Sequence, residues 1–363
     1  MAPFRRNSRS LLAAAFVALA LVGLAGCSTP QTTFEPQSDA AERIHAVYIL
    51  VVVLASIVGA GVLGVMIFTL IHFRARPGRV AAQTHGNTLL EIAWTVLPVG
   101  ILLIITIPSV LAWAEANRDP DPGALHITVT GHQWWWEIEY DGLGTDGSAV
   151  VTANELHLPV GQQASILLKS ADVIHSFWVP KLAGKTDAVP NRDNRLEPFT
   201  PKELGVFFGQ CTEFCGVAHS LMRFRVIVEP MADFEAWLLA LENPAPETLP
   251  AQASQGKQLF DISCSRCHAI AGHTIQGTVG PNLSLFGERL TLGSGMMDNT
   301  DDNLKRWISD LREFKPIPDD GGISFMPSFG LSGFTERDVS DLSAYLQGLT
   351  INALAAEPVG TAP

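Results

Sequence analysis

The sequence predicts a multidomain membrane protein: a hairpin of two membrane-spanning helices, a β-sandwich or β-barrel, and a small all-α domain. Three observations predict this fold class. Two long apolar runs without charge lie before residue 115, and short β-branched and aromatic runs separated by Gly, Pro, Asn and Asp fill residues 124–230. Beyond them, apolar residues recur at steps of three and four. A chain of 363 residues has room for two or three domains.

The first 26 residues have the layout of a signal peptide. Arg5, Arg6 and Arg9 precede the apolar run LLAAAFVALALVGLAG, whose last residues are small and stand directly before Cys27. The sequence LAGC resembles a bacterial lipobox, and this resemblance implies cleavage before Cys27 and attachment of lipid to its sulfur. The alternative is an ordinary free or buried cysteine.

Two uncharged segments are predicted to cross the membrane within residues 27–115. Residues 46–71 give a helix of about 39 Å, longer than the hydrocarbon core of about 30 Å, so this span has room to tilt. Residues 92–114 form the second span, in which Pro98 and Pro108 are tolerated because neighbouring helices satisfy the freed backbone groups.

The charges between the spans predict the orientation of the hairpin. The connection contains Arg74, Arg76 and Arg79 and no acidic residue before Glu91, so the positive-inside rule places it in the cytoplasm. Everything after residue 115 then lies on the extracytoplasmic side of the plasma membrane, which agrees with the predicted signal peptide. Glu91 is a functional candidate because it is ionisable and borders a span, although at an interface its side chain could simply reach water.

The part of the chain outside the membrane is acidic. Residues 1–113 contain 7 of the 24 Lys and Arg and 4 of the 36 Asp and Glu, which leaves 17 basic and 32 acidic side chains and a formal charge of −15 after them. This balance argues against nucleic acid as a partner, since its phosphates would be repelled. It favours a basic docking partner or a solvated acidic surface.

The remainder divides into a strand-rich domain (116–240), a linker (241–254), a helical domain (255–350) and a disordered tail (351–363). The linker is rich in Pro and Ala, which favours an extended chain. In the helical domain, Thr335 and Asp338 have the spacing of a helix N-cap and its acidic partner.

The segment CSRCH is the attachment signature of c-type haem. The thiols of Cys264 and Cys267 would bond the haem vinyl groups, and His268 would be an axial ligand of the iron. The alternatives are a dithiol redox pair or half of a zinc site, although the sequence has no second C-x-x-C to complete a four-cysteine site.

A second axial ligand can come from Met296, Met297 or Met326. Met326 stands in SFMPSFG, 58 residues after His268. This Met-Pro context resembles class I cytochromes c, as do GKQLFDISCSRCH and the closing helix. The resemblance implies an all-α cytochrome c domain with Met326 as the ligand, whereas Met296 and Met297 lie in a Gly-rich segment.

The segment CTEFCGVAHSLM concentrates soft metal donors. Cys211, Cys215, His219 and Met222 supply two thiolates, an imidazole and a thioether, a set that suits copper rather than magnesium or calcium. Zinc would use the thiolates and the histidine but gain little from Met222, and two cysteines four residues apart can also form a disulfide in an exported protein. Upstream, ADVIHSFWVP adds His175 at a predicted strand end.

Residues 40–230 resemble subunit II of a haem-copper cytochrome c oxidase. The motif of its dinuclear copper centre, CuA, is present as C-x-E-x-C-x-x-x-H-x-x-M with an upstream histidine. The resemblance implies a cupredoxin-like fold for the strand-rich domain and two copper ions bridged by Cys211 and Cys215, with His175 and His219 each bound to one. All five cysteines are then assigned, and no disulfide is expected.

The same resemblance implies roles for four further residues. Met222 would be a weak ligand of one copper ion and the carbonyl of Glu213 a ligand of the other. The Glu213 carboxylate would help to bind magnesium shared with subunit I. The alternative for this carboxylate is a solvated surface charge. In GHQWWWEIEY, Trp134 would pass electrons from a docked cytochrome to copper, although packing is the alternative for consecutive tryptophans on a strand. In LLEIAWTVLP, Glu91 would mark the mouth of a proton pathway.

Together the resemblances imply subunit II of a proton-pumping terminal oxidase of the caa type, with a cytochrome c domain fused at its C-terminus. An external cytochrome c or a quinol-cytochrome c reductase would reduce the haem, and CuA would pass electrons to the oxygen-reducing centre of subunit I. Subunit III and membrane lipid are further expected partners. One alternative is a CuA protein like nitrous oxide reductase, which the predicted membrane hairpin disfavours. A second is a membrane-anchored copper-delivery lipoprotein, which would not need haem. A third is a quinol-oxidase form of subunit II.

Overall fold

The computed structural model consists of two long apolar helices, a β-sandwich and a C-terminal helical domain. It describes residues 29–75, 77–78, 83, 85–242, 249–271, 277, 279–316, 326–329 and 333–351. Cys27 and the predicted signal peptide, residues 243–248 of the predicted linker and residues 352–363 of the predicted tail lie outside the described residues.

The two long helices are α1 (Asp39–His72) and α2 (Thr88–Ala116), and they contain the predicted spans. Both are long and apolar enough to cross a membrane, and most of their large apolar side chains are exposed, as expected of a surface that faces lipid. Side-chain caps begin both helices: Ser38 Oγ accepts from the N–H of α1's third residue, and Asn87 Oδ1 accepts from the second and third N–H groups of α2.

The sandwich domain (residues 125–230) has ten strands in two sheets. They are β1 (Leu125–His132), β2 (Trp135–Tyr140), β3 (Val150–Ala153), β4 (Glu155–Pro159), β5 (Ala164–Ser170), β6 (His175–Trp178), β7 (Thr186–Ala188), β8 (Asn194–Arg195), β9 (Gly205–Cys211) and β10 (Arg223–Glu229). The sheet orders are β3-β2-β1-β5-β8 and β4-β10-β9-β6-β7, with parallel pairing of β1 with β5 and of β4 with β10. On β2, Trp136, Ile138 and Tyr140 are fully buried and fill the space between the sheets.

The start of α1 is tied to the sandwich domain. The Oδ1 atom of Asp39 accepts a hydrogen bond from the backbone N–H of Thr200 at 2.7 Å, and Ser38 forms a β-bridge with Pro201. Because Ser38 is fully buried, its bridge to Pro201 is shielded from water. Helix α1 and the sandwich domain are therefore joined by packed structure as well as by the chain.

The C-terminal helical domain (residues 249–351) follows α3 (Met231–Glu242), which covers one end of the sandwich with Phe234 and Trp237. Its elements are α4 (Ala251–Ser263), β11 (Thr291–Leu292), β12 (Met297–Asp298), α5 (Asp301–Ser309) and α6 (Glu336–Gln347). Helices α4 and α6 pack against each other, and Phe260, Leu342 and Tyr345 are buried between them. As predicted, Thr335 and Asp338 form a capping box at the start of α6.

Candidate functional site

The predicted copper donors come together where β9 turns back into β10. The backbone N–H of Cys211, the last residue of β9, donates to the carbonyl of Met222 at 2.9 Å, which closes the loop between them. The Sγ atoms of Cys211 and Cys215 are 3.8 Å apart, and Cys215 Sγ lies 3.6 Å from His219 Nδ1 and 3.8 Å from Met222 Sδ. Four of the predicted ligands thus surround one small volume.

His175 reaches the same volume from the neighbouring strand. It begins β6, which pairs with β9, and its Nδ1 lies 4.0 Å from Cys211 Sγ. The ligand atoms of His175, Cys211 and Cys215 are all within 4.8 Å of one another, and all three residues are buried. The carbonyl oxygen of Glu213 lies 3.3 Å from Cys211 Sγ, while the Glu213 side chain is exposed.

A carboxylate fixes the orientation of His175. Its Nε2 lies 2.7 Å from Asp172 Oδ1, so Nε2–H donates there and Nδ1 faces the sulfur atoms. Burial alone would lower the pKa of His175, but its hydrogen bonds to Asp172 and Cys211 outweigh burial and raise that pKa. Sequence reasoning missed Asp172; its signal is an acidic residue three positions before a ligand histidine.

The two thiols behave as a coupled pair. Their shared hydrogen bond lowers the pKa of Cys211 to about 3 and raises the pKa of Cys215. Both are free cysteines, as are Cys264 and Cys267 among the described residues. Two thiols that lose their protons on metal binding, with imidazole, thioether and carbonyl groups beside them, fit a soft metal.

Trp134 lies directly beneath this cluster and is 5% exposed. Its indole Nε1–H donates to the carbonyl of Cys215 at 3.0 Å, and the Nε2 amide of Gln133 donates to the same carbonyl at 2.7 Å. The next two tryptophans differ: Trp135 stacks on a histidine ring at 4.2 Å, and Trp136 lies in the sandwich core. Sequence reasoning missed Gln133, which carries no motif of its own.

The predicted haem ligands share a second site, a cavity of about 280 Å³ in the helical domain. Cys264, Cys267, His268 and Met326 all line it, together with a wall of apolar side chains: Phe260, Leu283, Phe286, Leu292, Leu304, Trp307, Ile308, Phe329, Leu342 and Leu346. His268 Nδ1 lies 2.8 Å from the carbonyl of Pro281, so Nδ1–H donates there and Nε2 keeps a free lone pair. Met326 lines the cavity, whereas neither alternative methionine is among the described residues that do.

The cavity is also bordered by the sandwich domain. His132, Gln133, Trp134, Trp135, Asn154 and Asp172 line it from that side. Trp134 therefore faces the cavity and also donates to the backbone of residues 211–222, the predicted copper loop. Glu91 lies apart from both sites, exposed in the first turn of α2, whereas Cys27 lies outside the described residues.

Comparison with known protein families agrees with this layout. Three family models match: the transmembrane domain of cytochrome c oxidase subunit II at residues 29–111, its periplasmic domain at 125–230, and cytochrome c at 253–350. Cytochrome c oxidase subunit 2 of Alkalihalophilus pseudofirmus is 34% identical over 95% of this chain and 98% of the relative. The chain belongs to the cytochrome c oxidase subunit 2 family.

Two further relatives carry the same name or description. Cytochrome c oxidase subunit 2 of Bacillus sp. strain PS3 is 31% identical over 90% of this chain and 94% of the relative. A solved structure, the periplasmic domain of subunit II of cytochrome oxidase of Bradyrhizobium japonicum, is 30% identical over 32% of this chain and 93% of that chain, with a TM-score of 0.30.

Membership of this family makes the chain a subunit of a haem-copper oxidase. The predicted fold class is confirmed: two apolar helices at the N-terminus, a β-rich middle domain and a C-terminal cytochrome c domain. The families imply copper and haem as cofactors, and subunit II implies association with other oxidase subunits.

Proposed function

We propose that this chain is the electron-entry subunit of a proton-pumping terminal oxidase of the caa type. Its C-terminal haem would accept electrons, and the dinuclear copper centre would pass them to the oxygen-reducing centre of subunit I. The observation that carries the proposal is the place of Trp134. This residue lines the haem cavity and donates a hydrogen bond to Cys215, so one side chain connects the two candidate centres.

The copper loop would hold two copper ions. Cys211 and Cys215 would bridge them, His175 and His219 would each bind one through Nδ1, and Met222 and the Glu213 carbonyl would complete the site. When bound, the copper pair supplies one-electron redox chemistry with its charge spread over both thiolates. The loop is held by β9 and β10 and by the Asp172–His175 contact, so little movement of these residues is needed when the electron arrives.

Trp134 would provide the route between the centres. From the cavity wall, the path runs through the indole N–H to the carbonyl of Cys215 and along that residue's own covalent bonds to its sulfur. Gln133 donates to the same carbonyl and fixes its orientation. Because Trp134 is buried, water does not compete for its N–H.

The helical domain would hold one covalent haem. Cys264 and Cys267 would form the thioether links, and His268 and Met326 would be the axial ligands of the iron. The hydrogen bond from His268 to Pro281 leaves Nε2 as the available ligand atom, and the apolar side chains of the cavity wall suit an apolar macrocycle. Covalent attachment would keep the haem in a domain too small to enclose it by burial alone.

The remaining assignments concern the complex. Glu213, whose side chain is exposed, would contribute its carboxylate to a magnesium ion shared with subunit I, and Glu91 would mark the mouth of a proton pathway. Cys27 would be lipidated. Subunits I and III would be partners in a bacterial plasma membrane, with the sandwich and helical domains on the extracytoplasmic side and a cytochrome c or a quinol-cytochrome c reductase as donor.

Metal and haem analysis of the purified full chain tests this proposal. After expression with haem maturation, we expect two copper ions and one covalent haem per chain, with a near-infrared copper band. One zinc ion and no near-infrared band would contradict the copper assignment. Slow copper release to a chelator is expected of an electron-transfer site, whereas rapid release would favour copper delivery.

Replacing Met326 by alanine is expected to change the visible spectrum and reduction potential of the haem without changing copper content. The reason is that the iron would lose a thioether ligand, and the axial ligand sets the potential. The measurement is a redox titration followed by visible spectroscopy. Met297→Ala is the matched control, since Met297 is partly buried in the same domain but does not line the cavity. A spectral change in that variant alone would assign Met297, not Met326, as the axial ligand.

A further inference from the structure

A buried carboxylate joins the sandwich domain to the helical domain. Glu155 begins β4 and is 2% exposed. Its Oε2 accepts from the backbone N–H of Leu290 at 3.1 Å, and its Oε1 accepts from the N–H and the Oγ1 hydroxyl of Thr291, both at 2.8 Å. All three donors belong to the helical domain, so this carboxylate contact exists only while the two domains are docked.

Two arginines balance the charge of this carboxylate. Burial lowers the pKa of Arg225, on β10, and lowers that of Arg289, in the helical domain, to about 10. The negative charge of Glu155 opposes the effect of burial on both guanidinium groups. Arg225 stands opposite Glu155 in the register of β10 and β4, and Arg289 lines the same small space as Glu155, so the hydrogen-bonded carboxylate has one cation near it from each domain.

The segment of the helical domain that binds Glu155 continues to Trp134. The Oγ of Ser294 donates to the Trp134 carbonyl at 2.7 Å, and Lys315 Nζ donates to it at 2.9 Å. Gly295 lies so close to β10 that a Cβ there would stand 3.2 Å from the N of Phe224, and its φ is +72°. The contact at Glu155 and the bond from Ser294 to Trp134 are thus made by one short segment, residues 290–295.

An apolar side chain adds to the docking. Leu285 of the helical domain is 4% exposed and belongs to the same hydrophobic core cluster as the buried residues of the sandwich domain. Together with Trp237 and Leu241 it lines a small space beside Glu155. Hydrophobic burial supplies affinity without direction. The directional bonds of Glu155 are therefore suited to fix how the helical domain is oriented.

We propose that Glu155 is a positioning residue for electron transfer between the domains: by holding residues 290–291 it keeps the haem cavity against Trp134. This inference rests on the proposed function of the two centres. The transfer that it would position moves one electron from the reduced haem iron to the oxidised copper pair, and no bond or proton is exchanged. The external cytochrome donor supplies that electron.

Glu155→Gln separates positioning from packing because it keeps the size of the side chain. An ionised carboxylate accepts through both oxygens, whereas an amide presents one acceptor and one donor. In the variant, an NH₂ group would face either the N–H of Leu290 or the two donors of Thr291. A hydrogen bond to a charged group is lost and a donor–donor contact appears. The equilibrium constant for docking of the two domains should therefore fall about tenfold or more.

The experiment uses the full chain, loaded with haem and copper. Amide hydrogen exchange of the peptide that covers residues 290–291 measures undocking, and photoinjection of an electron into the haem measures its transfer to copper. For Glu155→Gln we expect exchange at these amides to accelerate about tenfold and transfer to slow. We also expect unchanged reduction potentials and visible and near-infrared spectra, which damage to either centre would alter.

Two further variants keep the test decisive if Glu155→Gln folds poorly. Thr291→Val removes one of the three hydrogen bonds from the other domain, while Thr291→Ser retains the hydroxyl and should restore wild-type exchange and transfer. Glu229→Gln is the matched control, because Glu229 lies on the neighbouring strand and pairs at 2.9 Å with His157 of its own domain.

The outcomes separate the two proposals. Normal exchange and normal transfer in Glu155→Gln and Thr291→Val would overturn the positioning role. Faster exchange with unchanged transfer would also overturn it, since Glu155 would then be only structural. If wild-type chain with both centres loaded shows no transfer from haem to copper, the proposed function fails instead, while the exchange data still report whether Glu155 holds the interface.

Discussion

Replacing Cys215 by serine is expected to abolish the copper pair, reducing copper from two ions to less than one per chain. Cys215 is the centre of the cluster: its sulfur lies within 3.8 Å of Cys211 Sγ, His219 Nδ1 and Met222 Sδ. A serine hydroxyl does not ionise near neutral pH and is a hard donor, so it cannot bridge copper as a thiolate does. The measurements are metal analysis and the near-infrared spectrum of the purified full chain.

The haem should be unaffected by this change, because its attachment segment lies in the helical domain. Val217→Ser is the matched control, since Val217 lies in the same loop and is 56% exposed. It should keep both copper ions. If Cys215→Ser retained a full complement of copper, the assignment of the bridge would be wrong; if both variants lost it, the loop's folding rather than its ligands would be responsible.

The clustering of the predicted copper donors in residues 211–222 follows from the sequence because it is local. Cys211, Cys215, His219 and Met222 are close in the chain, and the reversal from β9 to β10 needs only to fold them onto each other. His175, 36 residues from Cys211, stands out in the sequence as an upstream donor at a predicted strand end, but its role as a ligand is implied only by the resemblance to a family. Its proximity depends on the pairing of β6 with β9, which no local pattern encodes.

The fold class was likewise predictable, whereas the sheet order and the docking of the domains were not. Alternating and helical periodicities report which face of an element is buried, but not which element covers it. The parallel pairing of β1 with β5, for example, joins two strands that three other strands separate in the chain. The contact of Glu155 with Thr291 spans 136 positions, and that of Trp134 with Lys315 spans 181. Such pairs are specified only by the assembled structure.

Replacing Gly256 by alanine is expected to destabilise the helical domain and greatly reduce covalent haem, while copper content stays normal. Gly256 lies on α4 where it crosses α6, and a Cβ there would stand 1.9 Å from the carbonyl oxygen of Asp341 and 2.9 Å from Tyr345 Cβ. Alanine in a helix is favoured over glycine by about 1 kcal/mol, but overpacking typically costs about 1–3 kcal/mol or more. Since the obstacle is backbone, the helices must move apart and the clash should prevail.

Covalent haem per chain, measured by mass spectrometry, and thermal unfolding followed at the haem absorbance test this expectation. A net loss of about 2 kcal/mol should lower the melting temperature of a domain of this size by about 10 °C. Gln255→Ala is the control, because Gln255 is exposed on the same helix and its replacement should change stability by less than about 0.5 kcal/mol. A Gly256→Ala chain with normal haem content and an unchanged melting temperature would show that the crossing of α4 and α6 tolerates a methyl group.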